Sequence, residues 1–123
     1  MKGLGIDLCD ISRIEAAIAK NERFLERWYT REERNYIAAR GKTGAQSAAA
    51  MFAAKEAFLK AVGTGIGHGI TLTDVAVHHD ELGAPQYVLT GGAAQKMGEM
   101  GARYAWLSIS HESGMAAAVC VIE

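Results

Sequence analysis

The longest regular pattern of hydrophobic positions runs from Ala48 to Val62 and ends at Gly63. On a helical wheel Met51 and Phe58 fall on one side, and Phe52 and Leu59 fall on the other. The residues are good helix formers, and glycine is a common residue just after a helix. A helix that is apolar on both sides is normally buried. The pattern therefore predicts a long central helix around which the rest of the chain packs.

Three charged residues interrupt this apolar segment: Lys55, Glu56 and Lys60. One interpretation is an exposed stripe in which Glu56 pairs with Lys60 one turn later, a common and weakly stabilising arrangement. The other is a polar site set into a buried helix, in which Glu56 binds a metal ion and the lysines bind anionic oxygen. The helix alone does not decide between them.

A glycine-rich loop, Gly63–Gly67 (GTGIG), follows this helix directly. Such a loop lets backbone N–H groups approach a phosphate closely. It lacks the strand–loop–helix context of nucleotide-binding fingerprints, because a helix precedes it. The loop therefore indicates an anion site only in combination with the neighbouring lysines.

The segment before the central helix predicts one strand and three shorter helices. Residues 2–8 form an apolar, glycine-punctuated strand that ends near Asp7. Asp10 or Ser12 can cap the helix that follows, since Ser12 and Glu15 have the spacing of a capping box. A short helix then carries residues 23–27. Residues 30 and 33 form a second capping box, which opens a helix through about residue 40.

The segment after Gly69 is mostly β-like. Two predicted strands, at residues 75–78 and 86–90, are joined by a turn at 80–83. Residues 91–100 have the spacing of a short helix. Apolar residues then alternate with other residues in a second pair of predicted strands, at 103–110 and 115–122, which are joined by a turn at 111–114. These elements predict an α+β fold, in which an antiparallel sheet packs around a long central helix. The length of 123 residues fits a single domain over 1–123.

Composition indicates the class of protein and its cellular compartment. Half of the residues are hydrophobic and 22% are charged, as in ordinary globular proteins. No apolar run is long enough to span a membrane, and the start of the chain is too short and too acidic for a signal peptide. Cys9 and Cys120 form neither a disulfide framework nor a zinc motif. We therefore expect a cytoplasmic protein that binds no membrane.

The net charge of −1 hides an uneven distribution. Residues 11–42 hold eight Lys or Arg and five Glu, a local excess of +3, and the remainder of the chain carries −4. A locally basic surface on a nearly neutral protein favours a specific acidic partner over nucleic acid. The alternative is a solvated helix face whose charges are balanced by glutamates.

Taken together, the motifs resemble those of one family. They are G-I-D at residues 5–7, R-I at 13–14, R-F-x-x-R at 23–27 with Thr30 and Glu33 following, FAAKEAFLKAVGTGIG at 52–67, and S-I-S-H at 108–111. In this order and spacing they resemble holo-acyl-carrier-protein synthase, the small branch of the 4′-phosphopantetheinyl transferases. The resemblance covers nearly the whole chain.

The resemblance implies transfer of 4′-phosphopantetheine from coenzyme A to a serine of apo acyl carrier protein, with Mg²⁺ or Mn²⁺ as cofactor and adenosine 3′,5′-bisphosphate as the product. It implies a homotrimer with active sites between subunits. Asp7 and Glu56 match the metal ligands, and Lys60 completes the catalytic set. The coenzyme A site matches Lys55, Lys60, Gly63, Thr64, Gly65, Ile66, Gly67, Ser110 and His111. The carrier-docking surface matches Arg13, Lys20, Arg23, Phe24 and Arg27.

The chain departs from the family pattern at one position. Many members have a basic residue just before FAAKEA, where it contacts the nucleotide end of coenzyme A, and this chain has Met51. The 3′-phosphate must then be bound by another group, for which Arg40, Lys42 and Lys55 are the candidates.

Two other functional classes use the same residues. A metal-dependent diphosphate hydrolase would employ Asp7, Glu56 and Lys60 with water, but would give the basic helices no purpose. A non-enzymatic module would dock an acidic protein through those helices, and metal chelation would not affect the docking.

His111 also has a simpler interpretation, a structural hydrogen bond at the end of a strand.

Overall fold

The computed structural model describes residues 1–123, and its elements are arranged around one long helix. In chain order they are β1 (Gly3–Asp10), α1 (Ile11–Lys20), α2 (Phe24–Trp28), α3 (Arg31–Ala39), α4 (Gly44–Ala61), β2 (Val75–His79), β3 (Pro85–Leu89), α5 (Gly91–Glu99), β4 (Ala105–Glu112) and β5 (Met115–Ile122). A short 3₁₀ turn at Gly41–Thr43 directly precedes α4, and a second one at Leu72–Asp74 directly precedes β2.

The central helix of the sequence analysis is α4, and it is buried on both sides as predicted. Met51, Phe58 and Leu59 are each at most 1% exposed. The helix packs against β1, β5, β4 and β2 and against α1 and α3. One hydrophobic cluster gathers the buried side chains of these elements. The α+β class with an antiparallel sheet around a long helix is confirmed.

The strands form two antiparallel sheets, one of three strands in the order β1-β5-β4 and one hairpin, β2-β3. The last hairpin differs from the prediction, because β4 extends to Glu112 and only Ser113 and Gly114 form the turn. Both turn residues have positive φ, 52° and 79°. Two-residue hairpin turns favour this conformation because its twist matches that of the strands.

Side-chain caps fix the starts of α1 and α3. Asp10 caps α1, accepting a hydrogen bond of 2.9 Å from the Ser12 backbone N–H, so the Ser12–Glu15 alternative is not used. The capping box at the start of α3 is confirmed. The Glu33 N–H donates to Thr30 Oγ1 at 3.2 Å, and the Thr30 N–H donates to Glu33 Oε1 at 2.8 Å.

Two glycines let β1 lie directly on α4. A Cβ atom on Gly3 would overlap the carbonyl oxygen of Ala61, and one on Gly5 would overlap that of Ala57. The strand can therefore approach the helix backbone only where it lacks side chains. This close approach brings Asp7, on the same face of β1 as Gly5, beside the second half of α4.

Gly5→Ala is expected to destabilise the fold by about 1–3 kcal/mol or more, because β1 must retreat from the α4 backbone. Chemical denaturation and melting temperature measure the effect. Gly98→Ala is the matched control, since a Cβ at that helical position meets open space and alanine favours a helix. Equal unfolding midpoints for Gly5→Ala and the wild type would contradict this packing.

No helix in the structure combines the length and the apolar character that a membrane crossing requires.

Candidate active site

Asp7 and Lys60 meet at the free edge of β1. Lys60 Nζ lies 3.0 Å from Asp7 Oδ1 and donates a second hydrogen bond of 3.0 Å to the carbonyl oxygen of Ile6. Because β1 is an edge strand, this carbonyl has no strand partner. An ammonium group has three donors, so one remains for a ligand. The Lys60 side chain is 54% exposed, and an open cavity of about 380 Å³ adjoins the pair.

Glu56 lies in the same electrostatic environment, one turn of α4 before Lys60. Partial burial raises the pKa of Glu56, and the Asp7 carboxylate raises it further, while Lys60 and Arg13 oppose the shift. The pairing of Glu56 with Lys60 that the first interpretation required does not form, since Lys60 turns to Asp7. The site therefore holds two carboxylates that repel each other.

This donor set fits a divalent cation. Asp7 and Glu56 supply carboxylate oxygens, and no third His, Cys, Asp or Glu side chain joins them. Mg²⁺ keeps several waters and binds through one or two carboxylates together with substrate phosphates. A cation between the two carboxylates would also relieve the repulsion that raises the pKa of Glu56.

The loop Gly63–Gly67 leaves the C-terminal end of α4 close to this site. Gly63 and Gly67 adopt positive φ of 79° and 95°, which glycine tolerates without strain. A Cβ at Gly63, Gly65 or Gly67 would meet open space, so the loop backbone is accessible to a ligand. Thr64 Oγ1 is buried without a hydrogen-bond partner in the chain. The loop therefore leaves an accessible glycine backbone directly after Lys60 and its helix.

Lys55, which was predicted to line the coenzyme A site, is directed into the core of this structure instead. Its side chain is fully buried, and its ammonium group donates to Glu33 Oε1 at 2.8 Å, to the Leu72 carbonyl at 2.7 Å and to the Val75 carbonyl at 3.0 Å. All three donors are used, so none remains for a ligand.

Ser110 and His111 lie at the far end of the chain's own α4 from the glycine loop. His111 Nε2 is 3.2 Å from Nε2 of Gln46, near the start of the helix, whereas Gly63 follows its end. At 1.5 Å of rise per residue, the helix separates Gln46 and Gly63 by about 25 Å. One subunit therefore does not bring together the two parts of the predicted coenzyme A site.

A cleft of about 210 Å³ surrounds His111. It is lined by Tyr36, Arg40, Gln46, Ser47, Ala50, His79, Gly83, Pro85, Ile109 and His111. The Tyr36 ring stacks on His79 with centroids 4.1 Å apart, and the Arg40 guanidinium carbon lies 5.1 Å from the Tyr36 centroid. Of the three basic residues considered in place of Met51, only Arg40 lines this cleft, and no acid does.

The basic residues predicted to dock a carrier protein are exposed on α1, on α2 and just before α2. Arg13 and Lys20 stand seven residues apart on α1 and share one face of it. The charge of Arg13 lowers the pKa of Glu56, so this surface adjoins the carboxylate site. Phe24 is half-buried, with its ring 6.1 Å from that of Tyr29, and contributes to both the core and the surface.

Sequence reasoning missed the partner of Lys55. Glu33 is 1% exposed, and its second role, as an acceptor for Lys55 and for the Val77 N–H, leaves no local sequence signature. A signal for the burial of Lys55 was present, because it falls between Met51 and Phe58 on the apolar stripe of α4 at helical spacing.

Comparisons with known proteins show which family this chain is similar to. The family model described as the 4′-phosphopantetheinyl transferase superfamily matches residues 3–120. A holo-[acyl-carrier-protein] synthase of Treponema denticola is 45% identical to this chain over 121 residues, which cover 98% of this chain and 97% of that relative.

Solved structures of the same kind share the fold. The holo-[acyl-carrier-protein] synthase of Neisseria meningitidis has a TM-score of 0.89 at 35% identity, covering 100% of this chain and 98% of that one. The Helicobacter pylori synthase, solved in complex with coenzyme A, has a TM-score of 0.84 at 33% identity, covering 98% and 99%. Motifs, fold and full-length similarity therefore agree, and the chain belongs to the 4′-phosphopantetheinyl transferase superfamily, in its holo-[acyl-carrier-protein] synthase branch.

Proposed function

We propose that this enzyme transfers the 4′-phosphopantetheine group from coenzyme A to a serine of an apo acyl carrier protein, depends on Mg²⁺ and releases adenosine 3′,5′-bisphosphate. Residues 1–123 act as one transferase domain. The observation that carries the proposal is the meeting of Asp7, Glu56 and Lys60 beside an open glycine-rich loop. The two cysteines are free and buried, which fits the expected reducing cytoplasm.

In the proposed reaction, the serine hydroxyl oxygen attacks the phosphorus that carries the pantetheine arm. A serine–phosphorus bond forms, and the bond from that phosphorus to the bridging oxygen of the diphosphate breaks. The serine proton is released, and the electron pair leaves with the nucleotide phosphate. Lys60 holds its remaining donor toward the phosphate oxygens and stabilises the negative charge that develops there.

Asp7 and Glu56 would hold the divalent cation, with Asp7 oriented by its hydrogen bond from Lys60. When bound, such a cation supplies charge neutralisation at the diphosphate and lowers the pKa of a coordinated hydroxyl or water. Mn²⁺ prefers the same oxygen ligands and is expected to substitute.

The separation of the glycine loop from His111 supports an active site shared between subunits. The carboxylates, Lys60 and the loop of one subunit would face Ser110 and His111 of the next subunit. Coenzyme A would then lie across the interface and contact both. We propose a homotrimer, the assembly that the family resemblance implies.

The outer face of the three-stranded sheet is the surface proposed for this assembly. It consists of Leu4, Ile6 and Leu8 on β1, Val119 and Val121 on β5, and Trp106 on β4. Leu4 is 59% exposed, Ile6 and Leu8 are each 63% exposed, and Trp106 is 53% exposed. A contiguous apolar face of this kind marks an interaction surface, and a closed ring of subunits buries it. Ile6 and Leu8 also flank Asp7 in β1, so a subunit packed on this face would lie next to the proposed site.

The exposed basic surface formed by Arg13, Lys20, Arg23 and Arg27 is proposed to dock the carrier protein. Acyl carrier proteins are acidic, so complementary charge would speed association and orient the carrier serine toward the carboxylates. Phe24, which is half-buried, adds apolar area to this surface.

Arg23→Glu is expected to raise the KM for carrier protein while leaving coenzyme A binding nearly unchanged, because a charge at the interface rim acts mainly on association. Raising salt should weaken the wild type in the same direction, as the Debye length falls from about 10 Å at 0.1 M to about 3 Å at 1 M. Steady-state kinetics at two salt concentrations measure both effects.

Arg103→Glu makes the same charge change on an exposed residue outside the basic segment and serves as the matched control. Phe24→Ala separates apolar docking from core packing. A docking role weakens carrier binding even at high salt, whereas a core role lowers the melting temperature and affects both substrates alike. A wild-type carrier KM for Arg23→Glu at low salt would contradict the docking assignment.

Mass spectrometry tests the proposed reaction directly. The protein is incubated with coenzyme A, Mg²⁺ and apo acyl carrier protein, and the carrier is examined for the added phosphopantetheine mass. Omitting the carrier distinguishes a hydrolase, which would still release the nucleotide from coenzyme A. An unmodified carrier under these conditions would overturn the proposal.

A further inference from the structure

Lys55 is a fully buried cation outside the reacting groups, and its contacts point to a specific role. Its ammonium group binds Glu33 Oε1 and two backbone carbonyls, those of Leu72 and Val75. A buried ion pair is often no more stabilising than an apolar pair of the same volume. Stability alone therefore does not explain why a lysine occupies this position, and the two carbonyls indicate what it holds.

Leu72 begins the 3₁₀ turn at which the segment after α4 re-enters the core, and Val75 directly follows that turn. Leu72 is 1% exposed and Val75 is fully buried, so their carbonyls need donors from within the protein. Lys55 supplies both donors from the middle of α4. The ammonium thus ties the far end of the segment 62–71 back to the helix from which that segment departs.

Between these two ends the glycine loop has little packing of its own. At its start, the Thr64 N–H donates to the Leu59 carbonyl at 3.0 Å. Ile70 is buried, and the Gly69 carbonyl lies against Gly92 of α5. The intervening glycines face open space. The position of this loop is therefore set by how its two ends are fixed.

We propose that Lys55 is a positioning residue, which fixes the far end of the segment 62–71 relative to α4 and thereby holds the loop Gly63–Gly67 within that segment in register with Glu56 and Lys60 for coenzyme A. The proposal rests on the proposed function for the identity of the ligand. Its structural part, that Lys55 restrains the loop, stands independently of that function. The same helix carries the anchor and the catalytic side chains, so a loop anchored to it keeps a constant distance from them.

Three variants separate this role from general stability. Lys55→Met removes all three donors at similar side-chain length. Lys55→Met combined with Glu33→Gln also removes the carboxylate charge that the single change would leave unpaired, so it offsets most of the loss of stability. Glu33→Gln alone is the matched control, because it disturbs the same buried pair but keeps the lysine bonds to Leu72 and Val75.

The expected result is a rise in the KM for coenzyme A on the order of 10- to 100-fold in both Lys55 variants, since small displacements of a binding group have effects of that size. Amide hydrogen exchange over residues 63–75 should accelerate in the ligand-free Lys55 variants. The KM for carrier protein should change little. Glu33→Gln should keep a nearly normal KM for coenzyme A and nearly normal exchange in the loop, even where its melting temperature falls.

Amide hydrogen exchange of residues 63–75 at the wild-type rate in the double variant would contradict the proposal that Lys55 anchors this segment. The proposal would also be overturned if activity fell in proportion to the melting temperature in all three variants and the KM values of both substrates changed alike. That result would show that Lys55 contributes to stability alone. If the wild type neither binds coenzyme A nor modifies a carrier protein, the proposed function fails. The exchange measurement on ligand-free protein still decides whether Lys55 restrains the loop.

Discussion

Glu56→Gln is expected to reduce transfer at least about 100-fold, the scale of losing one electrostatic contact at a reacting centre. The change removes a proposed metal ligand but keeps the size of the side chain. Initial rates of carrier modification across a Mg²⁺ titration measure the effect. Asp7→Ala should give the same result, because it removes the second ligand and the partner of Lys60.

The Glu56→Gln protein should remain folded. Desolvation and the Asp7 carboxylate raise the pKa of Glu56, so the charged form of Glu56 destabilises the metal-free protein. Glutamine carries no charge and removes this destabilisation. We expect an unchanged or higher melting temperature for Glu56→Gln without metal. Glu99→Gln, at an exposed position on α5, is the control for loss of one negative charge. Metal-dependent turnover at the wild-type rate in both Asp7 and Glu56 variants would remove the assigned site.

Ile6→Glu is expected to dissociate the assembly and to abolish activity, because it places a charge in the proposed apolar interface beside Asp7. Light scattering gives the oligomeric state, circular dichroism reports whether the subunit remains folded, and the mass-spectrometric assay gives activity. Leu82→Glu is the matched control. Leu82 is 95% exposed in the β2–β3 turn, so the same substitution there should leave both assembly and activity unchanged.

A complementation experiment tests whether the site is shared between subunits. Glu56→Gln and His111→Ala are each expected to be poorly active alone. Mixed assemblies of the two should regain activity, because some interfaces pair the intact Glu56 of one subunit with the intact His111 of the next. A fully active wild-type monomer at micromolar concentration, or mixtures no more active than their parents, would contradict the shared site.

Local patterns in the chain were sufficient to predict most of the elements. The stripe through Met51, Phe58 and Val62 predicted a buried central helix, alternation predicted the strands, and Thr30 with Glu33 predicted the start of α3. Such signals are readable because they depend on neighbours within a few residues. The last turn was placed wrongly, because residues 111–112 can continue a strand as readily as they can begin a turn.

The sequence by itself determined the family, the order of the elements and the residue types of the proposed site, since motifs and periodicity are local properties. It did not distinguish Lys55 from Lys60, two lysines of one helix. Packing of α3 and the Leu72–Asp74 turn against α4 buried the first, and the free edge of β1 left the second open to a ligand. The role of Gly5 and the distance between the glycine loop and His111 likewise appear only when strand and helix are placed in space, because burial and close approach depend on contacts between residues far apart in the chain.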